Sequence, residues 1–202
     1  NNQLGILKLF FNVMCAKNRA WISENPFVGI SELPEDVGSN VAYTEKEREI
    51  LKEYFLKHDK RMYYATNFIF HGFIRKTELC GIRVGDIDWE NKTIKNNSQD
   101  AKNRIQDSIT IPEGFLKILY EMGLDLAPKH YYIFGKHMET CEDRCTRPDD
   151  ISERHLELKL AAGLPNFEKD GKAFYSWKHT GVVAYWRVVK DIYFMMRQLR
   201  HH

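Results

Sequence analysis

Four cationic or titratable side chains in this sequence could act together: Arg75, Lys102, Lys178 and His201. Each stands at the edge of an apolar stretch, and they lie far apart in sequence, so only a fold could gather them. Gathered, they form a positively charged cup suited to a phosphate group. Arginine supplies a planar fork for two non-bridging oxygens, and lysine supplies a movable point charge that can also give up a proton. Such donors accelerate phosphoryl transfer by stabilising the charge that builds in the transition state. Neither a GxxxxGK nor a GxGxxG glycine cradle occurs. The chemistry therefore requires no nucleotide, and no cofactor is expected. Each residue also has an ordinary reading: Arg75 paired with Glu78, Lys102 solvated on a polar hairpin, Lys178 on a helix surface, and His201 as part of a terminal tag.

The elements that must position these groups follow from periodicity and punctuation. Leu4, Leu7, Phe10, Phe11 and Met14 make one apolar face of a helix over Leu4–Arg19. Residues 1–25 read as the last helix of a preceding domain, and residues 26–43, with Pro26, Pro34, Gly29 and Gly38, as a linker. Residues 44–202 read as the main domain. Thr44 with Glu47 matches a capping box, and Ile50, Leu51, Tyr54 and Phe55 face inward behind it. A helix over Lys60–Phe73 is apolar nearly all round and is expected at the centre of the core.

Arg75 follows that helix and opens the stretch Arg75-Lys76-Thr77-Glu78-Leu79, which leads to the acidic turn Asp86-Ile87-Asp88. Thr93-Ile94-Lys95 and Ser108-Ile109-Thr110-Ile111 alternate as strands, with a polar hairpin tip over Asn96–Asp107 that carries Lys102 and Arg104. Pro112 and Glu113 open another helix. Met138–Asp150 reads as an irregular loop, Ile151–Ala162 as a helix, and Trp177–Val188 and Asp191–Leu199 as two final helices. The fold class is α+β, mostly helical with a small antiparallel β-sheet.

Composition bounds the function. Hydrophobic residues make up 43% and charged residues 29% of 202, which is globular rather than disordered. No apolar run approaches the roughly 20 residues that span a bilayer, so no membrane partner is expected. Four cysteines in a chain of this size do not make a disulfide framework, and a reducing, cytoplasmic setting is expected. His137, Cys141 and Cys145 would share a helical face and could ligate zinc. The residues between them read as loop and supply no fourth ligand, so no metal is expected. The net charge of +2 neither demands nor excludes nucleic acid, and local clustering must decide. Lys92, Lys95, Lys102 and Arg104 around the hairpin and Lys172 ahead of residue 175 are candidate contacts to the phosphates of such a partner, which would position the protein on it.

The order and context of these residues resemble the catalytic domain of the tyrosine recombinases, the phage-integrase family. The likeness looks closest to the integrases of Bacteroides-type mobile elements. The family's first box is an arginine followed three residues later by Glu or Asp, then Leu and an x-Asp-Ile-Asp turn. Arg75, Glu78, Leu79 and Asp86-Ile87-Asp88 stand in those places. The family's lysine lies in a β-hairpin before a strand ending in Pro, which places Lys102 ahead of Ile109-Thr110-Ile111-Pro112. The second box, usually His-x-x-Arg-His-Thr, reads Tyr175-Ser176-Trp177-Lys178-His179-Thr180. Tyr175 stands in place of the usual His and Lys178 in place of the usual Arg. Lys178 keeps the charge and loses the fork. The third box, usually Leu-Gly-His, reads Leu199-Arg200-His201.

The resemblance implies that a tyrosine attacks the scissile phosphate of double-stranded DNA and forms a 3′-phosphotyrosyl link, leaving a free 5′-hydroxyl. Arg75 and Lys178 would stabilise the pentavalent phosphorus, Lys102 would protonate the leaving oxygen, and His201 would donate to a non-bridging oxygen, with His179 in support. The family's nucleophile lies about one helical segment beyond that histidine. The expectation is therefore a chain that stops before its nucleophile and does not cut DNA by itself. Tyr185 and Tyr193 read as helix packing residues. The chain is expected to be a monomer in solution and a tetramer on DNA at full length, with no small-molecule substrate. The departures at Tyr175 and Lys178 leave open an accessory or regulatory DNA-binding relative without catalysis.

Overall fold

The computed structural model describes residues 2–16, 21–31, 40–96 and 107–200. The hairpin tip at 97–106, with Lys102 and Arg104, and His201 lie outside the described residues. The chain divides into two compact units, Asn1–Gly38 and Ser39–His202.

The first unit holds helix α1 (Asn2–Cys15). Asn25 fastens the following segment to it. Its amide donates to Lys8 O at 3.0 Å and to Asn12 Oδ1 at 2.7 Å, while its own Oδ1 accepts from Phe27 N at 2.9 Å. Phe27 then packs on Phe11 with ring centroids 5.1 Å apart.

The second unit opens with two helices that pack on each other. Helix α2 (Glu45–His58) starts at the capping box read from the sequence: Thr44 accepts from Glu47 N, and Glu47 accepts from Thr44 N at 2.8 Å. Helix α3 (Lys60–Gly72) buries Met62, Ala65, Phe68 and Ile69, as its all-round apolarity demands. Phe73 ends it with φ 51°, in the left-handed region. A short helix α4 (Lys76–Leu79) follows.

Strands β1 (Ile87–Asp88), β2 (Thr93–Asn96) and β3 (Asp107–Thr110) form one antiparallel sheet in the order β1-β2-β3. Ile87 pairs with Ile94, and Ile94 with Ile109. These three isoleucines face the core, while Lys95 alternates outward, as the period of two requires. Helix α5 (Glu113–Glu121) opens after Pro112 and buries Phe115, Leu116, Ile118 and Leu119. Phe68 meets Phe115 and Phe134 edge-on, at 4.8 and 4.9 Å.

The second half differs from the reading at two helices. Helix α6 (Pro148–Ala161) begins three residues earlier than expected, because Pro148 occupies the first turn, where its missing N–H and fixed φ suit a helix start. A one-turn helix α7 (Phe167–Asp170) carries no periodicity long enough to be read. Ahead of α6, Tyr132 makes isolated bridges to Arg83 and Cys141. The last two helices, α8 (Ser176–Val189) and α9 (Ile192–Leu199), fall where expected. Asp191 caps α9 by accepting from Tyr193 N and Phe194 N.

Helix α8 lies directly against α3. A Cβ on Gly181 would stand 2.0 Å from Phe70 O, so only glycine permits this approach of two backbones.

Candidate active site

Arg75 leaves the end of α3 in an extended conformation as the N-cap residue of α4. Glu78, one turn into that helix, reaches back to it. Its Oε2 accepts from Arg75 N at 2.8 Å and its Oε1 from Arg75 Nη1 at 2.7 Å. The ordinary reading of Arg75 as an ion-pair partner is thus correct, and compatible with function. The guanidinium is held on one side, while 27% of the side chain stays open.

Glu78 itself is wholly buried and takes a second cation. Arg200 Nη2 donates to Glu78 Oε2 at 2.7 Å and to Phe73 O at 3.3 Å. Arg200 lies just past α9 with φ 57°. That conformation costs a non-glycine residue about 1 kcal/mol, and the ion pair to a buried carboxylate offsets it.

The second box turns inward beside this triad, and each of its residues has a distinct task. Ser176 Oγ accepts from Ala173 N at 3.0 Å and starts α8. Trp177 is buried and its indole N–H donates to His155 Nε2 at 3.0 Å. His155 therefore presents a bare nitrogen, and burial, with Lys159 nearby, pushes its pKa down to about 3. Thr180 Oγ1 accepts from Tyr43 N at 2.8 Å and donates to Ser176 O at 2.7 Å, pinning the segment before α2 to α8.

Lys178 is only 5% exposed. Burial comes first among the influences on it, then the guanidiniums of Arg75 and Arg200, and together they push its pKa down to about 8 against the opposing pull of Glu78. Its Nζ lies 5.7 Å from the centroid of the Tyr175 ring. Tyr175 is partly open to solvent and meets the ring of His179, one turn on, edge-to-face at 5.4 Å. Burial and the neighbouring Lys178 lower the pKa of His179.

Of the expected site residues, Arg75 and Lys178 are brought together, with Tyr175 and His179 at the rim. Lys95 is exposed on β2. Lys92 has φ 50° and an outlying pair with Glu113 at 3.6 Å. Lys172 behaves differently from expectation. It is 8% exposed, its ammonium sits 2.6 and 2.7 Å from the two oxygens of Glu47, and it lies over the Tyr43 ring. An ammonium so engaged is not offered to a phosphate. Tyr185 does pack as expected: its hydroxyl is 2.7 Å from His71 Nδ1, and burial raises its pKa to about 12. Tyr193 does not, being 77% exposed on the outer face of α9.

Two residues of the site escape a sequence reading. Arg200 is one. The other is Gln198, whose amide accepts from Thr110 N at 3.1 Å and donates to Thr110 O at 2.9 Å. The side chain thus imitates a neighbouring strand and locks α9 to the edge of β3. Among the described residues, no group of three His, Cys, Asp or Glu side chains is placed to hold a metal ion, and no helix is long and apolar enough to cross a membrane.

No family model and no curated protein matches the chain. Solved structures do. A lambda integrase fragment, residues 75–356, in a dimer bound to a COC′ core site superposes with TM-score 0.76 at 14% identity, over 98% of this chain and 70% of that one. The fold is that of an integrase catalytic domain. The Tn1549 transposon integrase (aa 82–397), in complex with circular intermediate DNA, gives 0.72 at 17% identity, covering 100% of this chain and 70% of that one. The integrase from mycobacterium phage Brujita gives 0.61 at 17% identity, covering 98% of this chain, which spans 61% of its length.

Proposed function

We propose that this chain is the phosphoryl-transfer domain of a site-specific DNA recombinase that breaks and rejoins DNA through a 3′-phosphotyrosyl link. The observation that carries the reading is the charge balance behind Arg75. Among the described residues, Arg75 and Arg200 pair with one buried carboxylate, Glu78, and Lys178 feels the charge of all three. Excess buried positive charge is costly in free energy unless an anion meets it. A phosphodiester is such an anion, and the charge it gains in the transition state is met by groups already in place. The integrase fold supports the same reading, since the compared proteins include two solved with DNA.

In this scheme Arg75 and Lys178 stabilise the pentavalent phosphorus, and Lys178 acts as a point charge where a fork is usual. Lys102 is proposed to protonate the leaving 5′-oxygen and His201 to donate to a non-bridging oxygen. Lys92, Lys95 and Arg104 contribute phosphate contacts along the duplex. Tyr185 is engaged with His71, and the nucleophile is proposed, as the family resemblance implies, to be another tyrosine of the full-length gene product. The phosphotyrosyl link conserves the energy of the broken bond, so exchange needs no ATP. Kinship with Bacteroides-type integrases, and assembly as a tetramer on DNA, belong to the same proposal.

The test uses the full-length gene product and nicked DNA from the ends of the element that carries it. A denaturant-resistant protein–DNA adduct, formed far more slowly by Arg75→Ala and Lys178→Ala, is expected. The lysine at 178 favours one competing reading, a non-catalytic DNA-binding relative. That relative would bind DNA in a salt-sensitive way and form no adduct.

A further inference from the structure

We propose that Arg200 is a positioning residue of this site: acting through Glu78, it sets the direction in which Arg75 presents its guanidinium. The inference rests on the recombinase reading above and adds a residue to it.

Three observations support it. First, Glu78 has two oxygens, and both are used. Oε1 holds Arg75 Nη1, while Oε2 is shared between Arg75 N and Arg200 Nη2, the two side-chain bonds both being 2.7 Å. A carboxylate gripped at Oε2 by Arg200 cannot rotate, so its other oxygen holds Arg75 in one orientation. Without Arg200, Oε2 would keep only the bond from Arg75 N, and the carboxylate would be held less firmly in that orientation.

Second, the backbone at Arg200 is left-handed, where glycine is the residue of least strain. The chain keeps a long, charged side chain there, and that side chain returns to the site rather than to solvent. Its Nη2 also donates to Phe73 O, and Phe73 is the other left-handed residue of the site, two positions before Arg75. Arg200 therefore fastens both the carboxylate and the backbone turn from which Arg75 departs.

Third, Gln198 pins the preceding turn of α9 to Thr110, so Arg200 approaches Glu78 from a docked helix rather than a loose tail. Directional bonds from rigid elements are what hold a reacting arrangement to within the tolerance that catalysis needs.

Among the described residues, charged and titratable neighbours come from three elements. Arg75 and Glu78 come from α4 and its cap, Arg200 from the end of α9, and Tyr175, Lys178 and His179 from α8. Arg200 is one of the two guanidiniums that hold the Lys178 pKa down. Its removal should let that pKa rise and carry the alkaline limb of the cleavage profile to higher pH. Loss of fold alone would not move that limb.

The experiment is single-turnover adduct formation on nicked DNA by the full-length protein, with Arg200→Ala, Arg200→Lys, Arg75→Ala and the Arg75→Ala/Arg200→Lys double variant. DNA affinity, thermal unfolding and the pH profile are measured alongside. We expect Arg200→Ala to slow adduct formation about 100-fold, the scale of an ångström-sized misplacement, with DNA affinity little changed and the alkaline limb moved upward. Arg200→Lys keeps the charge, guards against an unfolded alanine variant, and should recover much of the rate. In the Arg75→Ala background, Arg200→Lys should add almost nothing, because the group it positions is gone.

An Arg200→Lys effect that multiplies undiminished onto Arg75→Ala overturns the proposal, as does wild-type rate and pH profile in both Arg200 variants. Absence of any adduct from the unsubstituted protein overturns the recombinase reading itself, and this inference with it. Adduct from the unsubstituted protein with unaffected Arg200 variants overturns this inference alone.

Discussion

Replacing Lys178 by methionine should stabilise the fold while abolishing its chemistry. Methionine matches the unbranched shape of the lysine stem and carries no charge. The pKa of Lys178 is 10.5 in the open chain and about 8 in the folded one. That difference corresponds to about 3 kcal/mol. The folded-state value lies below the unfolded one, so folding is opposed wherever the side chain is charged in both states, below about pH 8. The opposition fades as pH rises from 8 to 10.5, because the folded protein sheds its proton first. Other lysines and tyrosines titrate in the same window, so the informative quantity is the difference between variant and parent. Urea unfolding at several pH values from 6 to 10.5 measures it. We expect Lys178→Met to be more stable by about 1–3 kcal/mol at pH 7, and the gain to shrink toward zero by pH 10.5. A variant less stable than the parent at pH 7, or a difference that does not vary with pH, would refute the charge balance assigned to the site.

Gly181→Ala should force α8 away from Phe70 O and lower stability by about 3 kcal/mol, seen as a fall of about 10 °C in Tm. His155 is neutral in the fold, with a pKa of about 3 against an ordinary 6.5. The parent should therefore lose about 1.4 kcal/mol per pH unit as pH falls below 6.5, and His155→Gln, which can still accept from Trp177, should flatten that slope in acid unfolding curves. Lys172→Ala should cost about 1 kcal/mol of stability by removing one partner of Glu47, which keeps its bonds from Thr44, yet leave the salt dependence of DNA binding untouched. Lys95→Ala should do the reverse, lowering the slope of log affinity against log salt by about 1 while unfolding as the parent does.

What the sequence made legible was local. The Thr44–Glu47 box was readable because its partners are three residues apart, and the strands Thr93–Asn96 and Asp107–Thr110 because alternation is a two-residue property. Arg75 and Lys178 were recognisable through their motifs. Arg200 was not, because its carboxylate lies 122 residues earlier and no short pattern links them. Lys172 failed for the same reason in reverse. A basic residue in a polar stretch reads as solvated, and nothing local announces Glu47, 125 residues away, as its partner. Tyr193 reads as a packing residue from its helical context, but the buried face of α9 is set by Met195 and Gln198, and Tyr193 points away from it.

The claim at the centre of this account is that Arg75, steadied by Glu78, meets the charge of a scissile phosphate. The most direct test replaces one non-bridging oxygen of that phosphate by methyl, which removes the charge and keeps the shape. Adduct formation by the full-length protein is then compared for parent and Arg75→Ala on both DNAs. A large loss is expected for Arg75→Ala on the natural phosphodiester and a much smaller one on the neutral methylphosphonate. Equal losses on the two DNAs would contradict the claim, placing Arg75 in the fold rather than in the chemistry.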